Sequence, residues 1–441
     1  MRLRFAGFFL ALAFQGLSLG GQESSHAPAP IDPILLRPDI WESTPQTLAP
    51  ELQMLRFDWI STGRDVARSA LPGLTFQKHS LNEAILSFRN GKLAEARLIY
   101  FNRGDSDALR EDEFQGLLAG ITADLVALTG RQPADRGRDP ASAVKAEGRI
   151  WEAGRTRYLL EWSATKGSYV KSVPFRAEFI RLTIGPGVAT PPAIGAAPAA
   201  TSRDLVKRFA GRDHVERVAG GDVKLKDVPM VDQGEKGYCV VASVERVLRY
   251  YGATVDQYEL AQIANSDAVG GTSLDAMLAS LKRLTSRLGV KVRSLYEWNS
   301  RDFLKMVEDY NRATKRGKLA PEIELSGQMI DADACFAKMK PEIFKEVRMK
   351  NTADFGRFKR DIQRTIDEGT PLLWSVRLGI VSEKEIPQAF GGHMRIIIGY
   401  NTATNEILYT DSWGMGHEEK RMAADDAWTI TNGLSSLQPV S

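Results

Sequence analysis

The stretch QGEKGYCVVASVERVLRYYG, Gln233 to Gly252, sets one of only two cysteines at the mouth of a helix. A thiol attacks as its thiolate, and the partial positive charge of a helix N-terminus favours that form. The glycines of QGEKG interrupt any earlier helix, while Val240, Val244, Val247, Leu248 and Tyr251 share one face of the segment beyond them. This spacing predicts a helix over 239–251, buried along one side, with its first turn outward and Cys239 at its positive end. Thiol chemistry also needs a base, a group that orients the base, and donors for an oxyanion. Of five histidines, only His393, in FGGHMRIIIGY, opens a strongly apolar strand. Asp411, in EILYTDSWG, ends the next strand-like run, so antiparallel pairing would bring it beside His393. Gln233, six residues ahead of Cys239, carries amide donors that reach the point of attack beside a backbone N–H of the helix mouth. Each residue also has an ordinary explanation: a small core cysteine, a structural histidine, a loop-capping aspartate.

Length and composition bound the setting of this chemistry. The chain has 441 residues, 43% hydrophobic and 26% charged, which suffices for two or three cores. A net charge of +3 gives no basis for a nucleic-acid partner, and RATKRGK is read as a solvated helical face. The N-terminus MRLRFAGFFLALAFQGLSLGGQ has two arginines, an apolar run and small residues, the pattern of a secretory signal over 1–21. The expectation is therefore an exported protein, periplasmic, in the cell envelope or extracellular, without stable membrane insertion once the signal is removed. Export raises a competing use for the thiols, because secreted proteins pair their cysteines. A Cys239–Cys335 disulfide is that alternative, and it would remove the chemistry.

Two biased segments divide the chain. Residues 22–33 read as a disordered leader, and GPGVATPPAIGAAPAATSR, 185–203, reads as a Pro/Ala/Gly-rich linker. Between them, 34–184 is expected to form a small α+β domain. RNGK marks a hairpin turn, EDEFQGLLAGITADLVALTG has helical periodicity with a glycine stop, and TRYLLEWSAT and FRAEFIRLTI read as strands. It offers no constellation for chemistry. From 204 to 441 the pattern predicts helices at 239–251, 257–264, 273–288, 301–313 and 353–368. Strands come after them in PLLWSVRL, MRIIIGYN and EILYTDSWG. A helical half before a sheet half is an α+β arrangement, with the site in the groove between the layers.

Glutamine, five residues, a cysteine opening a helix, then GH before an apolar strand, then DSWG resembles the papain-like cysteine peptidases. The order Cys, His, Asp and the progression GTPLLWSV, GGHMRIIIGY, ILYTD resemble most the C39-like peptidases of that clan, over roughly 225–415. The resemblance implies a papain-like fold with Cys239 as nucleophile, His393 as base, Asp411 as orienting residue and Gln233 as oxyanion donor. It implies a peptide or protein substrate and neither cofactor nor metal. Aspartate stands where papain relatives carry asparagine, and Val240 where papain carries tryptophan. Acyl transfer of the transglutaminase kind, cleavage of a cell-wall amide, and an inactive binding module on a peptidase scaffold are the alternatives.

Overall fold

The computed structural model describes residues 2–4, 27–104, 108–136, 144, 146–165, 174–187, 202–234, 237–253, 255–264, 274–317, 322–324 and 329–440. Most of the expected signal, and residues 188–201 of the expected 185–203 linker, lie outside these residues; Gly185 and Pro186 belong to a strand and Ser202 opens a short helix. Within the expected 22–33 leader, Ile31 is buried in the core and Asp32 starts a short helix.

In the N-terminal half, strands alternate inward apolar and outward polar residues, and their hairpin turns set the pairing. The strands are β1 (Asp58–Trp59), β2 (Val66–Ser69), β3 (Glu83–Arg89), β4 (Lys92–Asn102), β5 (Ala134–Asp135), β6 (Glu147–Ala153), β7 (Thr156–Thr165) and β8 (Arg176–Pro186). They form one antiparallel sheet in the order β1-β2-β3-β4-β8-β7-β6-β5. The β3–β4 turn is made by Asn90 and Gly91, both at positive φ (52° and 73°), as the twist of a two-residue hairpin requires. Helix α1 (Glu111–Thr129) packs on this sheet through Phe114, Leu118, Ile121 and Leu125. The half has its own apolar core, from Ile31 to Ile184.

The C-terminal half builds a second sheet from β9 (Val215–Arg217), β10 (Asp222–Leu225), β11 (Val290–Glu297), β12 (Leu372–Leu378), β13 (Gly391–Asn401), β14 (Glu406–Thr410), β15 (Lys420–Ala423) and β16 (Thr431–Pro439). Its order is β9-β10-β13-β12-β16-β11, with β14 pairing β13 and β15. Against it lie α2 (Cys239–Tyr250), α3 (Gln257–Ala264), α4 (Leu274–Arg283), α5 (Ser300–Gly317), α6 (Ala332–Lys338), α7 (Pro341–Met349) and α8 (Thr352–Asp367). The architecture is α+β, with helices and two large antiparallel sheets. Sequence periodicity missed β11 and β16, which pair with each other at the far edge of the second sheet.

Two expectations about α2 and the cysteines change. Nearly the whole of α2 is buried, its first turn included, because it runs beneath β13 and is covered on the other side. Cys239 and Cys335 are both free, buried thiols, so the disulfide alternative falls. Cys335 sits inside α6 next to Phe336, in an apolar cluster rather than at a charged surface.

The two halves are joined by polar contacts that are themselves buried. Arg181 of β8 donates to Glu161 of its own sheet (3.0 Å) and, across the junction, to Glu259 (3.0 Å) and Asp256. Arg97 of β4 adds a bond to Asp256 at 3.3 Å. A small apolar cluster of Val144, Ala146 and Phe179 packs Ile263 of α3.

Candidate active site

Cys239 is the first residue of α2, and Tyr238 is its N-cap. The helix lies across β13: Ser243, one turn beyond Cys239, donates to the Met394 carbonyl at 3.4 Å. The backbone of Met394, the residue after His393, acts on the Cys239 thiol in favour of its thiolate. His393 Nε2 and Asp411 Oδ1 are 2.9 Å apart. That meeting arises from β-pairing, since Ile396 on β13 stands opposite Thr410 on β14 and Asp411 is the next residue. Trp413 stacks flat on the imidazole, centroids 4.1 Å apart and planes 8° from parallel, so the ring plane is fixed from one face.

Gln233 is tied to the same loop twice. Its N–H donates to the Ser412 carbonyl (2.9 Å), and its side-chain oxygen accepts from the Ser412 hydroxyl (2.7 Å). With Oε1 held, the amide nitrogen is the end of the side chain that carries donors. The loop Asp411-Ser412-Trp413 thus holds His393 by its carboxylate and its indole, and Gln233 by its serine. Gln233, Cys239, His393 and Asp411 are all buried; Cys239 and Asp411 are 0% exposed.

Three groups that sequence reading did not single out complete the site. Arg395 donates to Asp411 Oδ1 at 2.9 Å, the oxygen that also meets His393, and pairs with Glu383 at 2.9 Å. Arg246 of α2 donates to the carbonyls of Pro229 (2.7 Å) and Asp411 (2.6 Å) and to the Thr410 hydroxyl (2.6 Å). Ser412 is the third, through Gln233. A signal for Arg395 was present: it stands two residues from His393 on a strand, hence on the same face, and is a charge in an otherwise apolar run.

The electrostatics come from burial. Loss of water pushes the Cys239 thiol up to about 12, against backbone N–H groups at Met394 and Val240 that favour the thiolate. Burial also lowers the pKa of His393, opposed by the Asp411 bond and charge and reinforced by Arg395. For Asp411 burial works upward, but the Arg395 guanidinium and the His393 bond outweigh it and hold the carboxyl at about 2. The resting site is therefore a neutral thiol, a neutral imidazole and a carboxylate. His393 Nδ1 is buried with no hydrogen-bond partner among the described residues. With Nε2 facing a carboxylate, Nε2 carries the proton and Nδ1 is the basic nitrogen. No group of three or more metal-ligating side chains occurs among the described residues, and no described helix is long and apolar enough to cross a membrane.

Residues 225–436 match the model of the Peptidase_C39 like family. Among solved structures the chain is similar to xylellain, a cysteine protease from Xylella fastidiosa, with 12% identity and a TM-score of 0.27 over 53% of this chain and 90% of that one. No curated protein matches the chain.

Proposed function

We infer, from a chain whose residues 225–436 match the model of the Peptidase_C39 like family, that it is a cysteine peptidase of papain-like layout. The observation that carries the reading is the contact of Asp411 with His393 Nε2 on β13, the strand that α2, opened by Cys239, lies across; it leaves Nδ1 as the basic nitrogen. As Cys239 attacks a peptide carbonyl, His393 Nδ1 takes the thiol proton. The tetrahedral oxyanion is stabilised by the Gln233 amide and the Cys239 backbone N–H. His393 then returns the proton to the leaving amine, and a thioester links Cys239 to the acyl fragment. Water, activated by the same imidazole, releases the acid. Asp411 orients the ring and stabilises the imidazolium while it exists, without taking its proton. Because thiol and imidazole rest neutral, proton transfer accompanies attack rather than preceding it. We place the protein outside the cytoplasm, on the N-terminal Arg/apolar/small-residue pattern.

The reading is tested by incubating the full chain with casein and, separately, with cell-wall fragments, and identifying products by mass spectrometry. New peptide termini in casein support a peptidase. Products confined to the wall fragments would make the same triad an amidase. Isopeptide-linked products without hydrolysis would make it an acyl transferase.

A further inference from the structure

We propose that the N-terminal sheet is a working part of this site: Asn102, on β4, is a positioning residue that acts through Tyr238 on Cys239. The proposal rests on reading Cys239 as the nucleophile.

Tyr238 immediately precedes Cys239, and its carbonyl accepts the first α2 bond, from Ala242, at 2.8 Å. As N-cap it has no side-chain cap bond of its own, so the entry angle of the chain is set by where its ring is anchored. That ring is 1% exposed, and its hydroxyl accepts from Asn102 Nδ2 at 2.9 Å; Asn102 is itself only 2% exposed. Just beyond β4, Gly104 comes so close that a Cβ there would fall on the Tyr238 hydroxyl. The phenol is thus seated in a socket with no room for one more carbon atom.

The other end of the loop is gripped in the same way. Arg68 of β2 lies 3.8 Å from the Asp232 carboxylate while bonded to Glu83 on β3. Asp232 in turn accepts from the N–H of Gly234, whose φ is +67°. A Cβ on Gly234 would meet the Arg68 guanidinium at 2.5 Å. Gln233 lies between those two residues. The loop that carries both the oxyanion amide and the nucleophile is therefore held at each end by strands of the other sheet. Arg181 clamps α3, the next helix, at Asp256 and Glu259. A shift of about an ångström at such a site costs on the order of a hundredfold in rate, so these contacts act on turnover more than on substrate affinity.

The test uses the full-length chain carrying Asn102→Ala, Tyr238→Phe, or both. Tyr238→Phe keeps the ring and removes only the hydroxyl, so it retains packing if Asn102→Ala alone disturbs folding. Each single change is expected to lower kcat on casein about tenfold, the size of one buried neutral hydrogen bond, with KM unchanged. The double variant is expected to be no slower than either single, because both remove the same bond. Amides of 237–242 are expected to exchange hydrogen faster in all three. The proposal is overturned if the two effects multiply in kcat, if they appear in KM alone, or if exchange over 237–242 is unchanged. A wild-type chain that turns nothing over would defeat the peptidase reading instead, and the exchange measurement would still decide the positioning role.

Discussion

At Cys239 and His393 two opposing influences act on one proton. Helix N-terminal N–H groups favour a thiolate, but removal from water favours the neutral thiol, and burial wins. Arg395 sharpens this outcome, because it neutralises much of the Asp411 charge that would otherwise support an imidazolium. A consequence is a pH profile unlike that of a preformed thiolate–imidazolium pair. Alkylation of Cys239 by iodoacetamide should rise about tenfold per pH unit from pH 7 toward its value of about 12, since thiolate is the minor form throughout that window. A plateau reached already in the acidic range would mean the ion pair forms in the free protein. Substitutions should rank by role. Cys239→Ala and His393→Ala each abolish turnover, Asp411→Ala costs less, and Asp411→Asn least, since its amide oxygen still accepts the imidazole N–H. Gln233→Ala should lower kcat roughly 10²- to 10³-fold. Steady-state kinetics on purified variants checks the order. Gln233, Cys239, His393 and Asp411 stand out as candidates in the sequence because each is the odd chemical type at a strand or helix boundary. Arg395 carried a signal, a charge in an apolar run two residues from His393, but not the identity of its carboxylate; Arg246 carried none, because nothing local says which carbonyls will meet it.

Helix α2 and the β13–β14 pair are the elements that bring the chemistry together, and Arg246 is the tie between them. Its guanidinium, fully buried, spans the Pro229 and Asp411 carbonyls and the Thr410 hydroxyl. Arg246→Ala strips the donor from the part-buried Pro229 carbonyl and the buried Asp411 carbonyl, each loss worth roughly 1–3 kcal/mol, while the Thr410 hydroxyl keeps its bond to the His417 carbonyl at 2.9 Å. A stability loss of about 3 kcal/mol or more is expected in urea denaturation, and with it a loose Asp411. A loss under about 1 kcal/mol would mean that water replaces the guanidinium and that the tie is not structural. Element existence was readable where periodicity is strong: α2, α8 and the β3–β4 hairpin came out of apolar spacing and Asn-Gly. The expected helix 273–288 instead ends its main segment at Arg283, and 290–297 is a strand. KVRSLYE alternates too weakly to announce a strand by itself, and its partner, the C-terminal strand β16, lies far away in sequence. Non-local pairing of that kind leaves no trace in a local pattern.

On the scale of the whole molecule, the junction between the halves is built on charge removed from water. Arg181 meets three carboxylates, Glu161, Asp256 and Glu259, with side chains 7–8% exposed on both sides. Breaking such a set by deleting its cation is costly because the carboxylates stay buried; Arg181→Ala should lower stability by about 3–5 kcal/mol. Arg181→Lys should recover only part of that, since one ammonium cannot reproduce three directed guanidinium bonds. Chemical denaturation of both variants reads the difference, and equal stability of Arg181→Ala and wild type would show the cluster to be neutral. None of this was legible beforehand. Charged residues on strands look solvated in sequence, and only the apposition of the first sheet and α3 reveals that Arg181, Asp256 and Glu259 share one dry site with Arg97 at its edge.

The claim on which everything else depends is that Cys239 becomes covalently acylated. The direct measurement is intact-chain and peptide mass spectrometry of an acid-quenched reaction with casein-derived peptides, comparing wild type with Cys239→Ala and Cys335→Ala. The account expects an acyl adduct mapped to Cys239 in wild type and in Cys335→Ala. Both adduct and turnover should be absent from Cys239→Ala. Turnover that survives Cys239→Ala, or an adduct carried by Cys335, would contradict it.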